Sequence, residues 1–437
     1  MRVRSSLLLA AFSISLFACS AVSKTNTFGQ GGGGSGQGTT GSGNPSGTTS
    51  SGSGDGGDIG LGGAGPSGSG GSTGMNCNSG PNDDSDKDGF TGAEGDCNDC
   101  DANVNPGAVE VIAPPNPDGS KPPAVDEDCD GQIDNIAPPC DDGLAVADNN
   151  AMNAAKAVEL CQQLQDPKKW GVKSAKWVLP DGASAAGMPS YDLGHGILSG
   201  FGPNVNVQGG KRMLALSSGT ARQPTDPGYQ DVGGFDKGYT TGNPQGFPKE
   251  SPACPGTITG EAHDGAALQL EILTPTNAQG FSFSFNFFTY EWPDWICSTF
   301  NDFFVSILMP FPANQQDGNI SFDSQGNPVS VNNAFLEVCG CFGGPPCIAG
   351  GKNFSCALGA SKLLGTGFGA DTAFADHGST YWLQTQAPVQ PHSNITIRWA
   401  VYDSGDGILD TTTLVDNWQW TATPGTEVVT APIGTPK

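Results

Sequence analysis

Closely spaced carboxylates are the side chains of this sequence best suited to chemistry. Between residues 83 and 142 there are 17 Asp and Glu and only two Lys. Three of the aspartates alternate with other residues before a glycine, in the run Asp84-Ser-Asp86-Lys-Asp88-Gly89-Phe90. That spacing lets side-chain oxygens converge on one cation, with the main-chain carbonyl of Phe90 as a further ligand. The run predicts a calcium-binding loop.

Two more acidic blocks follow, at residues 95–110 and 126–134. Neither contains His or Met, so their ligands are hard oxygens, which favour calcium over softer metals. The candidate metal ligands in these blocks are Asp96, Asp99, Asp101, Glu110, Asp128, Asp130 and Asp134.

The order of the three blocks resembles a repeated metal-binding motif named after a methanotroph outer-membrane copper protein. The first block is also similar to the shortened calcium loops of thrombospondin type 3 and dockerin-like repeats. The resemblance covers residues 83–134 and implies a metal-binding module, with copper as the alternative to structural calcium. A Pro-rich insertion at residues 111–125 leaves open whether the second and third blocks share one geometry.

The N-terminus has the features of an exported protein. Residues 1–18 combine two arginines with a short apolar run, which predicts a signal peptide. The run Leu16-Phe17-Ala18-Cys19 resembles a bacterial lipobox and implies a lipid on Cys19, which would attach the chain to the outer membrane or cell surface. A plain signal peptide with a chance cysteine is the alternative. Residues 19–75 are rich in Gly and Ser and predict a disordered tether.

Composition separates the remaining chain into two parts and limits its partners. The formal net charge of −25 gives no basis for binding nucleic acid. Of the 36 aromatic residues, 32 follow residue 142, so the hydrophobic core must lie there. We therefore expect an acidic calcium-loop module at residues 76–142 and a surface domain at residues 143–437.

The cysteines predict disulfides. Twelve follow Cys19, an even number in an exported chain, with five in the acidic region and seven beyond it. The odd split requires a bridge between the regions or a free thiol, and Cys140 with Cys161 is the shortest candidate bridge. The group Cys339, Cys341, Cys347 and Cys356 lacks zinc-ribbon spacing and predicts further disulfides.

The surface domain is predicted to be a mainly β fold, a jelly-roll-like β-sandwich preceded by one helix at residues 148–165 that Asp148 caps. Phenylalanines alternate with polar residues from Phe281 to Phe287, which places four rings on one face of a strand. The predicted strands are Ala267–Leu273, Gly280–Thr289, Asp302–Leu308, Ala334–Cys339 and Asn394–Val401.

Two passages of the surface domain resemble the choice-of-anchor L family of exported bacterial surface proteins. The first begins with His263–Leu270 and continues through the strand Phe281–Phe288 to Tyr290–Ser298 and Phe300–Phe304. The second is Ile395–Leu414, which contains Trp399–Asp410. Where that family typically reads E-E-Y-P-E, this chain retains only Glu291 and Pro293. The resemblance covers about residues 200–418 and implies an extracellular β-rich domain of unresolved biochemical role.

Two loops of this domain hold further candidate site residues. Their acidic and amide side chains would bind a second cation between two turns, or would only stabilise the turns. These residues are Glu291, Asn301, Asp302, Asp403, Asp406 and Asp410. Trp292 and Trp295 flank Pro293 and would form a platform for a sugar ring, unless they pack into the core.

No nucleophile-elbow or zinc-protease motif occurs in the chain. We therefore expect a non-enzymatic, lipid-anchored and calcium-binding surface protein, whose sandwich binds an extracellular glycan or a cell-surface protein for adhesion. A copper acquisition or storage protein is the first alternative. A secreted polysaccharide hydrolase that uses Glu291 and Asp294 is the second.

Overall fold

The computed structural model describes residues 79–112, 116, 118–332, 335–341, 343–369 and 377–433. The predicted signal peptide at residues 1–18, the lipidated Cys19 and the tether at residues 19–75 lie outside the described residues. Within the described part, all residues belong to one compact unit. No helix there is long and apolar enough to cross a bilayer.

Strands dominate the described residues, so the fold is mainly β, as predicted. One α-helix, α1 (Ala151–Lys156), and 3₁₀ turns at Gly92–Glu94, Tyr191–Gly194 and Ser361–Leu363 make up its helical part. The strands are β1 (Gly171–Val178), β2 (His195–Leu198), β3 (Met213–Ser217), β4 (Thr240–Thr241), β5 (Ala262–Leu273), β6 (Gly280–Thr289), β7 (Phe303–Met309), β8 (Val329–Ser330), β9 (Cys347–Ala349), β10 (Lys352–Phe354), β11 (Gly378–Pro388), β12 (Asn394–Ser404), β13 (Thr411–Thr421) and β14 (Val429–Pro432).

Two six-stranded antiparallel sheets form a sandwich. Sheet A has the order β1-β5-β12-β7-β8, with β4 also paired to β5, and sheet B has the order β14-β11-β6-β13-β3-β2. Consecutive long strands alternate between the sheets, because β5, β7 and β12 belong to sheet A while β6, β11 and β13 belong to sheet B. Loops from both sheets therefore meet at each end of the sandwich.

The core lies between the sheets, and the alternating phenylalanines of β6 build its centre. Phe281, Phe283, Phe285 and Phe287 are all buried in one cluster with residues of sheet A. The ring of Phe283 meets that of Trp399 on β12 edge to face, with 5.3 Å between centroids. The prediction that these four rings share one buried face is confirmed.

The predicted helix at residues 148–165 is much shorter in the structure. α1 spans six residues, and Asn150 caps it instead of Asp148, since its side chain accepts a hydrogen bond from the Met152 N–H. Glu159 has a left-handed φ of 68°, which a continuing helix does not allow. The alanines of α1 still pack on the sandwich core, as expected.

One predicted strand is wrong. Of the described residues in Ala334–Cys339, only Val338 pairs, in an isolated bridge with Ser379. Disulfides Cys339–Cys356 and Cys341–Cys347 cross-link the chain at the end of this segment and directly after it. They also confirm that these four cysteines are disulfide-bonded.

Other disulfides tie the acidic module to itself and to the sandwich. Cys97 bonds Cys129 within the module, and the predicted bridge between Cys140 and Cys161 is present across the boundary. A further disulfide joins Cys254 to Cys297 in the loops of the surface domain.

The acidic module lies directly against the sandwich. The Asn277 amide accepts a hydrogen bond from the Val109 N–H at 3.0 Å and donates one to the Val109 carbonyl at 2.8 Å. Thr276 donates to the side chain of Asn105, which is fully buried. These contacts place the module on the loop between β5 and β6.

We expect Phe283→Ala to lower the free energy of unfolding by about 3–5 kcal/mol, because it empties the centre of the core. Chemical denaturation of the purified chain measures this change. The matched control is Val429→Ala on the edge strand β14, where the side chain is 44% exposed, and the expected change there is within about 0.5 kcal/mol. Equal effects of the two substitutions would contradict the assigned core.

Candidate metal sites

The first acidic loop has the backbone that its sequence predicts. The Asp84 carboxylate accepts hydrogen bonds from the main-chain N–H groups of Lys87 and Gly89, and the carboxylate of Asp88 accepts one from Phe90. Gly89 has φ 98°, a conformation that favours glycine. The turn brings the aspartates to one side of the loop.

Five carboxylates gather at this loop and form two overlapping groups. In each group one oxygen from each of three residues lies within 4.8 Å of the others: Asp84 with Asp86 and Asp99, and Asp86 with Asp88 and Asp96. Asp86 belongs to both groups. One oxygen each of Asp86, Asp88 and Asp96 is buried without a hydrogen-bond donor.

The third acidic block repeats the first loop. The Asp126 carboxylate accepts a hydrogen bond from the Gly131 N–H, five residues on, as Asp84 does from Gly89. Gly131 also has a left-handed φ, 89°. Asp126 was not among the predicted ligands, although the spacing Asp126-x-Asp128-x-Asp130-Gly131 repeats that of the first loop and would have identified it.

Glu110 joins the second and third blocks in spite of the insertion between them. Its carboxylate accepts main-chain hydrogen bonds from Glu127 at 3.0 Å and from Asp134 at 2.6 Å. It lies in two further groups of three acidic residues, one with Asp126 and Asp128 and the other with Glu127 and Asp134. The two blocks therefore share one site geometry, a question that the sequence left open.

Two predicted ligands lie outside these groups. The Asp101 carboxylate accepts hydrogen bonds from the main chain and side chain of Asn103, and that of Asp130 accepts them from Gln132 and Asn135. The Phe90 side chain is buried, with the Lys168 ammonium 5.6 Å from its ring centroid.

Burial and mutual repulsion favour the neutral forms of the module's acids. Desolvation, followed by the charges of neighbouring aspartates, raises the pKa of Asp88 to about 6. The pKa values of Glu110, Glu127 and Asp128 are raised for the same reasons. Keeping these groups ionised near neutral pH costs free energy that a bound cation would offset.

A second set of acids lies at one end of the sandwich. Glu291 follows β6 and Asp410 precedes β13, two neighbouring strands of sheet B. Asp302 precedes β7 and Asp403 is the penultimate residue of β12, two neighbouring strands of sheet A. Each sheet therefore contributes two carboxylates, and we call these four residues the interior cluster.

The interior cluster is almost fully removed from water. Glu291, Asp302, Asp403 and Asp410 are each at most 2% exposed. Desolvation raises the pKa of all four well above the ordinary range, and their proximity to one another raises it further. Part of the set is hydrogen-bonded, because Asp302 donates its N–H to Glu291 at 3.1 Å and accepts the Thr411 hydroxyl.

The interior cluster lies in a stretch of chain that matches the model of a domain family. Residues 211–417 match the Choice-of-anchor L domain. The match covers a little less than half of the chain, and it indicates a cell-surface protein. No curated protein and no solved structure matches the chain at a significant level.

Other predicted residues of the Choice-of-anchor L domain are not brought together. Trp292 is fully buried and packs edge to face on Phe354, whereas Trp295 is 38% exposed. The predicted platform of two tryptophans is therefore wrong, because one of them belongs to the core. Asp406 is half-buried and accepts a hydrogen bond from the Ile408 N–H, a turn contact.

The predicted cation ligand Asn301 lies at the same end of the domain as the interior cluster. Its main-chain N–H donates to the carbonyl of Ser404, which is the residue directly after Asp403. Its side-chain oxygen is buried without a donor. Of the two carboxylates considered for a hydrolase, Glu291 is buried and Asp294 is exposed.

Sequence reasoning missed a third acidic set, where β13 of the Choice-of-anchor L domain meets the preceding chain. The side chains of Glu159 and Asp416 contact each other, and the N–H of Asn417 donates to both. Asp141 approaches them and accepts the N–H groups of Lys211 and Arg212. The three acids are far apart in sequence, and no motif joins them.

We expect the pair Glu159 and Asp416 to make the protein less stable as pH rises. Burial raises the pKa values of both groups in the folded state, and the charge of Asp416 raises that of Glu159 further. The folded chain therefore binds more protons than the unfolded chain above about pH 4. The free energy of unfolding should fall from about pH 4 through neutral pH. Glu159→Gln should raise the melting temperature at pH 8 and change it little at pH 4.

The control for this measurement is Glu427→Gln, an exposed acid near the C-terminus of the described chain. It should leave the pH profile of the melting temperature unchanged. An unchanged profile in Glu159→Gln would contradict the raised pKa of Glu159 in the folded state.

Proposed function

We propose that this chain is a calcium-binding cell-surface protein in which the acidic module orders one end of the molecule and the sandwich binds an extracellular ligand. The observation that carries the proposal is the set of four groups of three acidic residues with converging oxygens. Alternate aspartates, a left-handed glycine and a distant closing glutamate are features of calcium loops. In the two groups that join the second and third acidic blocks, that glutamate is Glu110.

Calcium fits these groups better than copper. Every side chain in them is a carboxylate, a hard donor that suits calcium, whereas copper proteins use imidazole or thioether ligands. A copper acquisition or storage protein remains the alternative that the same titration tests.

The module's contacts suggest what calcium would do. Lys168 of the surface domain donates to the carbonyl of Gly89 at 3.0 Å and pairs with Glu94 at 2.5 Å, so the first loop touches the sandwich directly. Glu94 is exposed, and the pair by itself contributes little. A calcium-ordered loop would hold the module in its docked position as a clamp on the sandwich.

The domain match and the N-terminal features together support attachment of the sandwich to the cell surface. We propose that a lipid on Cys19 attaches the chain to a membrane and that residues 19–75 act as a tether. The partner of the sandwich would be an extracellular glycan or a cell-surface protein, in keeping with adhesion. We propose no catalytic role, because Glu291 is buried while Asp294 is exposed.

Calorimetric titration of the purified chain with calcium tests the module. We expect binding in the micromolar to millimolar range of extracellular modules. Asp86→Asn removes the residue shared by both groups of the first loop and should weaken that site about tenfold or more. The matched control is Asp101→Asn, an exposed acid of the same module outside the groups, which should bind as wild type does. Tight copper binding with no calcium binding would replace this function with metal acquisition.

Limited proteolysis gives a second test of the clamp. Chelation should expose residues 83–142 to protease, because the carboxylates then repel one another and the loops open. Cleavage products identified by mass spectrometry should begin or end inside this range only after chelation. The same cleavage pattern with calcium and with chelator would contradict an ordering role.

A further inference from the structure

We propose that the interior cluster of the sandwich binds a hard divalent cation, of which calcium is the best fit, and that this ion joins the two sheets at one end. This site is separate from the acidic module, and the inference does not depend on calcium binding there. Its first support is position, since Asp302 and Asp403 come from sheet A while Glu291 and Asp410 come from sheet B.

The second support is the lack of donors. Both carboxylate oxygens of Asp403 and both of Asp410 are buried without a hydrogen-bond donor, as is the side-chain oxygen of Asn301. The Ser218 hydroxyl and the Asp302 side chain both interact with the carboxyl group of Asp403, and the hydroxyl also lies 3.4 Å from the carbonyl oxygen of Thr411. Carboxylates that are ionised at this depth need a positively charged partner.

A neighbouring acid shows how this fold satisfies a buried carboxylate without an ion. Asp264 is 1% exposed, as buried as Asp403, yet its two oxygens accept the main-chain N–H groups of Lys237 and Tyr239 at 2.5 and 3.0 Å. Asp264 therefore stabilises a turn through main-chain hydrogen bonds, whereas the oxygens of Asp403 and Asp410 accept no main-chain N–H.

Local positive charge does not balance the cluster. Lys237 is the buried cation near it, and the charges of Asp264, Asp410 and Asp403 act on its pKa. Its ammonium, however, donates to the carbonyl of Ser217 at 3.1 Å rather than to a carboxylate. When all four acids are ionised, one lysine offsets one of the four negative charges, and a divalent cation would offset two more.

The backbone at Gly219 leaves space for the carboxylate of Asp410. A Cβ atom on Gly219 would lie 2.1 Å from the carboxyl carbon of Asp410, so only glycine allows Asp410 its position. The side chain therefore lies where the backbone of the β3–β4 loop makes room for it, instead of turning out to solvent.

The donor set indicates the class of ion. The acids and Asn301 offer oxygen only, which suits calcium and not a soft metal. Within the described residues, the groups with three acidic oxygens inside 4.8 Å all lie in the acidic module. In the sandwich, two carboxylates at a time would therefore bind the ion, with neutral oxygens such as that of Asn301 completing its coordination.

Terbium luminescence distinguishes this site from the module. Terbium replaces calcium and emits when a nearby Trp or Tyr absorbs light. Residues 79–142 contain no Trp or Tyr, whereas Trp292 follows Glu291 and Tyr402 precedes Asp403. The parent for the experiment is the full chain with Asp86→Asn and Glu110→Gln, which together remove a member of each of the four groups in the module.

We expect this parent to show sensitised terbium emission that calcium displaces, and a melting temperature that calcium raises. Asp403→Asn or Asp410→Asn in the parent should abolish both effects. Glu427→Gln, an exposed acid outside the acidic module and the interior cluster, should retain both. If the buried variants fail to fold, the titration of the parent alone decides, and absence of calcium-displaceable emission there overturns the proposal.

A second result would also overturn it. If Asp403→Asn raises the melting temperature equally with calcium and with chelator, the interior cluster holds protons and not an ion. If the acidic module of the wild-type chain proves not to bind calcium, this inference is unaffected. The parent tests the interior cluster after ligands of the module have been removed.

Discussion

Uncompensated negative charge is the constraint on which the rest of this structure depends. The chain carries 44 acidic and 19 basic residues, and it gathers many of the acids into places where water is partly or wholly excluded. A carboxylate removed from water must be neutralised, hydrogen-bonded or paired. The acidic module, the interior cluster and the pair of Glu159 and Asp416 are three different settings in which the fold faces that requirement.

The two sheets provide the rigidity that makes such burial possible. The phenylalanines of β6 and the tryptophan Trp399 of β12 fill the space between the sheets, and strand pairing fixes the ends of β6, β7, β12 and β13. Because the long strands alternate between sheets, their terminal loops converge from both layers. The acids of the interior cluster approach one another only because these four strands end at the same place.

Local patterns in the sequence predicted local structure well. The alternation from Phe281 to Phe287 specified a strand and its buried face, since side chains in a strand have a period of two. The aspartate spacing from Asp84 to Asp88 specified a loop.

The helix was predicted too long, because the left-handed conformation of Glu159 depends on tertiary contacts with Asn417 and Asp416 that no nearby residue reveals. The set of Asp141, Glu159 and Asp416 escaped notice for the same reason, and the burial of Trp292 could not be read from its loop-like surroundings.

Two of the disulfides in the acidic region, Cys97–Cys129 and Cys140–Cys161, have a mechanical consequence. When a chain is pulled from its N-terminus, tension follows the shortest covalent path, and a disulfide removes the loop that it closes from that path. Cys97–Cys129 and Cys140–Cys161 close sequence separations of 32 and 21 residues, which withholds about 180 Å of extensible chain at about 3.4 Å per residue. A surface protein loaded in this way would lengthen little between its N-terminal segment and its sandwich, and α1 would bear no load while the bridge at Cys140 remains intact.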